Sequence, residues 1–382
     1  MGFWDSDSER NVIFAGTHRQ SASSTYELTA MAATVLATIN PMLEGRMVMR
    51  MRKFGSSGLF VSELCLGAMT FGGTDGLWGQ VGKLGQDEAD ALVGSALEAG
   101  INVFDTANVY ADGRSETMLG QSLRNLGVAR DDVVIATKVA SPMGKGPNHR
   151  GASRRHVLSE CRASLQRLGL DHIDLYQIHA FDPTTPIEET LEALDILVRA
   201  GDVRYIGLSN WAAWQIMKAL GIARARNLAP VVSLQAYYTL VGRDAEREII
   251  PMLDSEKVGL MVWSPLAGGY LTGKYATGTN ANGRLQGLDF PPIDRQRGEP
   301  LIEVLKAVAR KHDATPGQIA IAWLLHQSTV TTVILGAKRP EQLIENVRAT
   351  SIRLDDVDLS DLDTVSALPI EYPGWLLGHS SR

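Results

Sequence analysis

The sequence predicts an α/β chain in which eight parallel strands alternate with eight helices and close into a (β/α)8 TIM barrel, with an N-terminal β-hairpin across its bottom. Three observations carry this. From about Met51, short apolar β-branched runs alternate with stretches whose apolar residues recur every three or four positions, the periods of a strand and of an amphipathic helix. Such regular alternation requires parallel pairing through right-handed crossovers. Finally, the strands from the second onward each end in a group able to bind or react: Asp105, Lys138, His179, Ser209 with Asn210, Gln235, Trp263 with Ser264, and Gly336-Ala337-Lys338. A closed barrel gathers all its strand ends around one mouth, whereas an open doubly wound sheet concentrates its chemistry at one switch point, so this distribution favours the barrel.

Taken in order, residues 1–50 read as an N-terminal extension that is poorly ordered. Asp5, Asp7 and Glu9 deny it the basic start of a signal or transit peptide, and the apolar run from Leu28 to Ile39 falls short of the roughly 18 residues of a membrane span. The barrel domain is expected over 51–368 and a loosely ordered tail over 369–382. Arg52–Phe54 and Leu59–Val61, separated by Gly55-Ser56-Ser57-Gly58, predict the hairpin. Barrel strands are predicted at Glu63–Leu66, Asn102–Asp105, Val133–Lys138, Ile173–His179, Val203–Ser209, Val231–Gln235, Val258–Trp263 and Thr332–Leu335, each short, apolar and bounded by breakers. Helices are predicted at Asp87–Ala99, Ser115–Leu126, Ser153–Leu168, Pro186–Ala200, Trp211–Ile222, Asp244–Lys257, Thr315–Gln327 and Pro340–Thr350, with a last one near Asp355–Ala367 outside the barrel.

Bulk charge narrows the partners. A formal net charge of −6 argues against nucleic acid or an anionic membrane surface, so any anionic ligand has to be met by local cations. Cys65 and Cys161 lie far apart with no CxxC or Cys/His cluster, as expected for buried thiols in a reducing, cytoplasmic setting with no metal site.

The chemistry centres on Tyr110, in the loop after the second strand and five residues beyond Asp105. A free phenol titrates near pH 10 and becomes a useful proton donor at neutral pH when its phenolate is stabilised. Lys138, ending the neighbouring strand, supplies an ammonium for this, and Asp105 supplies the counter-charge that a buried lysine needs. His179, at the end of the next strand, would share the substrate oxygen with Tyr110. Each residue alone has an ordinary reading: loop packing for the tyrosine, a helix cap for the aspartate, a solvated lysine, a structural histidine. Four of them on consecutive strand ends point to one acid catalyst.

These residues fall in motifs that resemble the aldo-keto reductase superfamily: DTANVY (Asp105–Tyr110), ATK (Ala136–Lys138), LGLDHIDLYQIH (Leu168–His179), GLSN (Gly207–Asn210), WSPLAGGYLTGKY (Trp263–Tyr275) and GAKRPEQLIENV (Gly336–Val347). The resemblance runs from about Met51 to Leu368 and is nearest the aryl-alcohol dehydrogenase-like and potassium-channel β-subunit-like branch. It implies Asp105, Tyr110, Lys138 and His179 as a catalytic tetrad, with hydride passing between a nicotinamide and a small-molecule aldehyde, ketone or alcohol.

No GxGxxG fingerprint is present, which disfavours a Rossmann-type dinucleotide site, but a barrel can hold the cofactor across its mouth. Trp263 could stack on the nicotinamide, and Ser209, Asn210 and Gln235 offer what its carboxamide needs. The resemblance implies those roles, although Tyr is more usual at the position of Trp263. Gly268 to Lys274 nearly spells a phosphate loop, GGYLTGK, yet Tyr275 stands where a magnesium-binding Ser or Thr belongs, which excludes nucleoside triphosphate hydrolysis. Its glycines suit a backbone closing over a pyrophosphate, with Lys274 supplying charge, and the resemblance extends this segment to Ser264 and Leu266. Lys338, at a strand end and helix start after Gly336, is a natural seat for a 2′-phosphate, which makes NADPH the expected cofactor, with NAD possible. The resemblance adds Gln342 and Asn346 near the adenosine.

Substrate choice is expected in three loops: Met69–Gly85 with Phe71 and Trp78, Ala140–Gly151, and Leu271–Pro300 as a lid. Phe71 and Trp78 suggest an apolar or aryl carbonyl. Two other classes stand beside the reductase: a Schiff-base aldolase in which Lys138 attacks a carbonyl, and a cofactor-sensing regulatory subunit of the channel-β type. The chain is expected to work as a monomer or homo-oligomer.

Overall fold

The structure is a computed structural model that describes residues 49–275, 288 and 290–376, so the expectations for residues 1–48, for the middle of the lid and for the end of the tail lie outside the described residues. Strands β1 (Met51–Lys53) and β2 (Phe60–Ser62) pair antiparallel, with Arg52 opposite Val61. Eight further strands follow: β3 (Leu64–Gly67), β4 (Val103–Asp105), β5 (Val134–Val139), β6 (Ile173–Ile178), β7 (Val203–Ser209), β8 (Val231–Tyr237), β9 (Gly259–Trp263) and β10 (Val330–Leu335). All pair parallel with their chain neighbours, and β10 returns to β3 to close the barrel. The (β/α)8 barrel with its terminal hairpin is therefore present as the strand-end pattern predicts.

Alternation along the strands divides two cores. On β5, Val134 and Ala136 face inward with Cys65, Val103, Leu175, Val232, Met261 and Ile334, while Ile135 and Val139 face outward onto the helices. Phe54 and Val61 from the hairpin, both with no exposed surface, complete the inner cluster, so the hairpin plugs the bottom. Arg52 staples it there, donating to the carbonyls of Leu325 and Val330 at 2.5 Å each and pairing with the buried Glu63 at 3.2 Å.

Among the described residues the helices are α1 (Gly76–Val81), α2 (Gln86–Glu98), α3 (Arg114–Asn125), α4 (Arg154–Leu168), α5 (Ile187–Ala200), α6 (Ala213–Arg226), α7 (Ile249–Glu256), α8 (Arg295–Lys311), α9 (Pro316–His326), α10 (Pro340–Val347) and α11 (Asp356–Ser366). Local chemistry sets their ends. Ser153 caps α4 by accepting the His156 N–H, and Gly169 at φ 68° stops it in a left-handed turn that a side chain would resist. Thr315 and Gln318 cap α9 reciprocally with Pro316 at its first position.

Most boundaries fall within one or two residues of the sequence reading; α6 runs four residues past its expected end, and there are three larger corrections. Helix α1 sits inside what reads as a loop. Helix α8 begins inside the expected lid and runs past it: Pro300, in its second turn, reads as a breaker, but Asp294 accepts the Arg297 N–H and nucleates the helix anyway. The single helix expected over Asp244–Lys257 is a 3-10 turn, Asp244–Glu246, followed by α7, because Glu248 is non-helical at φ −134°. Just past α11, Arg297 donates to the Ala367 carbonyl at 2.9 Å and Arg247 to the Pro369 carbonyl at 3.2 Å. No described helix is long and apolar enough to cross a membrane.

Candidate active site

Register brings the polar strand ends to one height. Asp105 on β4 lies opposite Ala136, two residues below Lys138 on the same inner face of β5, and Lys138 lies opposite Gln177 on β6. The Lys138 ammonium, fully buried, donates to Asp105 Oδ2 at 2.6 Å, to the Thr106 carbonyl at 2.7 Å and to Tyr110 Oη at 3.3 Å, which uses all three of its protons. Burial works against its charge, but Asp105 and then Tyr110 more than offset this, and its pKa lies above that of an ordinary lysine.

Asp105 is saturated in turn. Its second oxygen accepts from Gln235 Nε2 at 2.9 Å and Gln177 Nε2 at 3.3 Å. A buried ion pair is tolerable only when its remaining lone pairs and protons are satisfied, and here two amides satisfy them. Because Lys138 donates to the Tyr110 oxygen, the phenol O–H is directed away from the ammonium.

His179 follows β6, its backbone N–H bonded to the Val139 carbonyl at 2.7 Å, and presents its ring edge-on to Tyr110 with centroids 5.7 Å apart. Desolvation, then the nearby Lys138 charge, push its pKa down to about 3, so the imidazole is neutral at ordinary pH. Its Nδ1 is buried with no hydrogen-bond partner among the described residues, a position that invites a polar ligand atom. Trp78 packs on Tyr110 from another side, centroids 5.6 Å apart.

The residues assigned to a cofactor fall into three groups. The first touches the tetrad. Asn210, left-handed at φ 58°, donates to the His179 carbonyl at 2.9 Å and to Ser209 Oγ at 3.0 Å, and accepts from Trp263 Nε1 at 3.1 Å, which links Trp263 through Asn210 to His179 and Tyr110. Trp263 stacks on Phe290 with ring planes 5° apart and leans on Tyr237. The second group is a turn after β9 in which Ser264 (φ 54°), Ala267 (47°), Gly268 (64°) and Gly269 (92°) are all left-handed, with Ser264 Oγ accepting the Gly268 N–H at 3.3 Å; Leu266, inside the turn, is partly buried and Lys274, beyond it, is exposed. Within the turn the Ala267 and Gly269 N–H groups bond to the Ser264 and Leu266 carbonyls at 2.9 Å each. The third group lies past β10: Gly336 is exposed with open space where a Cβ would stand, Lys338 donates its backbone N–H to Gln342 Oε1 at 3.0 Å, and Asn346 is largely buried on α10. Just before this group, Leu335 lies level with Leu66 and so with Phe104, one residue before Asp105.

Phe71 does not line the mouth; it is fully buried in the outer core, bridged to Leu84. Reading the sequence also overlooks Gln177, whose inward orientation follows from strand period, and Phe290, which only the fold brings to Trp263.

The chain matches the Aldo/keto reductase family over residues 63–367. It is 38% identical over 311 residues to a rice protein, Oryza sativa subsp. japonica, named "Probable voltage-gated potassium channel subunit beta", covering 80% of this chain and 92% of that protein. An Arabidopsis thaliana protein of the same name matches to the same extent, 38% over 311 residues with 80% and 92% covered. With a barrel of the matching architecture and a family match across nearly all of it, the chain belongs to the aldo/keto reductase family and is, by that membership, an oxidoreductase.

Proposed function

We propose that the chain is an NADP(H)-dependent oxidoreductase acting on an aldehyde or ketone, or in reverse on the corresponding alcohol, with Tyr110 as general acid and base. The observation that carries this is the buried Lys138 ammonium held between Asp105 at 2.6 Å and the Tyr110 oxygen at 3.3 Å. Reduced nicotinamide, when bound, supplies the hydride. As the substrate carbon takes it up, Tyr110 Oη passes its proton to the carbonyl oxygen, which leaves an alcohol and a phenolate. Lys138 stabilises that phenolate, and Asp105, Gln177 and Gln235 keep Lys138 in place. His179, neutral in the working range, orients the substrate oxygen by a hydrogen bond without competing for the proton. Solvent returns a proton to Tyr110.

Two features suit a nicotinamide dinucleotide: the orphaned His179 Nδ1 beside the phenol, and the left-handed turn after β9, where Gly268 and Gly269 have no side chain to keep a ligand off the backbone. Trp263 would stack on the nicotinamide; Ser209, Asn210 and Gln235 would meet its carboxamide; Ser264, Leu266, Gly268 and Lys274 would line the pyrophosphate; Gly336, Lys338, Gln342 and Asn346 would hold the adenosine and its 2′-phosphate. Trp78 against Tyr110 favours an apolar or aryl substrate.

A second reading, a cofactor-sensing subunit of a membrane channel, is favoured by the names of the relatives. A Schiff-base aldolase fits poorly, because an amine that donates three hydrogen bonds and has a raised pKa has no lone pair for attack. The test is a panel of aldehydes, ketones and alcohols assayed by NADPH and NADH absorbance. Turnover with aldehydes and NADPH supports the reductase; tight NADPH binding with no turnover on any substrate would move the assignment to the sensor.

A further inference from the structure

The turn that carries Tyr110 is not self-supporting. In the 3-10 turn Tyr110–Gly113, three consecutive residues are left-handed: Ala111 at φ 49°, Asp112 at 56° and Gly113 at 89°. Two of these carry side chains that disfavour that region, so something outside the turn has to hold it.

A ring of buried polar groups does so from behind. Glu116, in the first turn of α3 with no exposed surface, accepts from Thr137 Oγ1 at 2.5 Å and from Arg167 Nε on α4 at 2.6 Å. Arg167 also reaches Ser164 Oγ at 3.1 Å and Glu160 at 3.5 Å, and Glu160 accepts from Asn108 Nδ2 at 3.0 Å. Its aliphatic stem presses on the turn so closely that a Cβ at Gly113 would come within 2.6 Å of Arg167 Cδ. The ring closes on both neighbours of the chemistry. Thr137 precedes Lys138 on β5 and points outward where Lys138 points inward; Asn108 precedes Tyr110 by two residues, and its N–H bonds to the Lys138 carbonyl at 3.1 Å.

We propose that Glu116 and Arg167 are positioning residues for Tyr110: their buried ion pair clamps the left-handed turn against β5 and so sets the distance from the phenol oxygen to the Lys138 ammonium. This rests on the reading of Tyr110 as the proton donor, but the clamp can be measured without turnover. Among the described residues, the charged and titratable groups that bear on the phenol include Lys138 from β5, Asp105 from β4 and His179 after β6, with Glu116, Arg167 and Glu160 behind the turn. None of the last three touches the reacting atoms.

The experiment follows tyrosinate absorbance against pH in the full chain, subtracting the Tyr110→Phe titration so that Tyr110 alone is read. In Arg167→Ala and Glu116→Gln the Tyr110 midpoint is expected to rise by about one pH unit relative to the unmodified chain, since moving a charge from 3.3 Å to roughly 5 Å weakens its effect by that order. Arg167→Lys should recover part of the shift. Arg199→Ala, which removes an exposed helical ion pair with Asp195, should leave the midpoint in place. If Arg167→Ala does not fold, Thr137→Val removes one hydrogen bond to Glu116 without changing volume and should give a smaller upward shift. An unchanged midpoint in folded Glu116 or Arg167 variants, with only the melting temperature lowered, would overturn the proposal. Failure of the reductase reading appears separately, as absence of NADPH-linked turnover in the unmodified chain.

Discussion

The two ends of the barrel are built from the same strands and could hardly differ more. At the bottom, Val103, Val134 and Val232 join Phe54 and Val61 of the hairpin in an apolar plug. A few residues higher on the same strands, Asp105, Lys138, Gln177 and Gln235 form an equally buried polar layer in which each lysine proton and both aspartate oxygens have partners. The plug gains stability from area alone and tolerates any filling of the right shape. The polar layer gains its rigidity from complete pairing, so removing one member exposes the others to an uncompensated cost.

Breaking each end separately sharpens the contrast. Lys138→Met strands the Asp105 carboxylate in the interior and should cost about 3–5 kcal/mol in urea unfolding as well as turnover. Adding Asp105→Asn to it should restore much of the stability and none of the activity, a recovery that simple loss of packing would not allow. At the other end, Phe54→Ala should cost a similar 3–5 kcal/mol through its cavity while leaving kcat and KM close to normal below the melting transition. A large loss of kcat in that variant would mean the ends are mechanically coupled.

His179 offers a smaller, graded test. Its folded pKa of about 3 lies below the ordinary 6.5, so the unfolded chain binds a proton that the folded one refuses. The stability it protects is complete above pH 6.5 and is lost as pH falls toward 3, at about 1.4 kcal/mol per unit. Replacing it by Gln should flatten that part of the stability curve, and equal slopes for both proteins would remove the neutral imidazole. The mildest effect is expected at the exposed third group: Lys338→Ala should weaken NADPH by about 10-fold with NADH little changed, as a lost charge-assisted phosphate contact requires. Equal weakening of both would place the phosphate elsewhere.

Legibility in the sequence follows the same division. Strands and their polar ends were readable because burial on two faces forces short β-branched runs, and Asp105, Lys138 and His179 stand out against them. Tyr110 was readable by its distance from Asp105. What stayed hidden depends on direction or on distant partners. Gln177 looks like an ordinary strand residue until alternation turns it inward onto Asp105. Glu116 reads as one more helical acid, and only the packing of α3 on α4 and β5 buries it against Arg167 and Thr137. Phe71 shows the converse: an aromatic near the mouth suggests a pocket, yet its bridge to Leu84 carries it into the core. Pro300 concealed α8 because a capped first turn at Asp294 outweighs the one hydrogen bond that a proline removes.

The most direct test of Tyr110 as proton donor is Tyr110→Phe, with NADPH affinity and single-turnover carbonyl reduction measured on the same preparation. Affinity is expected to stay within a few fold while the rate falls by roughly 10²-fold or more, the usual scale for a lost general acid. Near-normal reduction by the phenylalanine variant would contradict it.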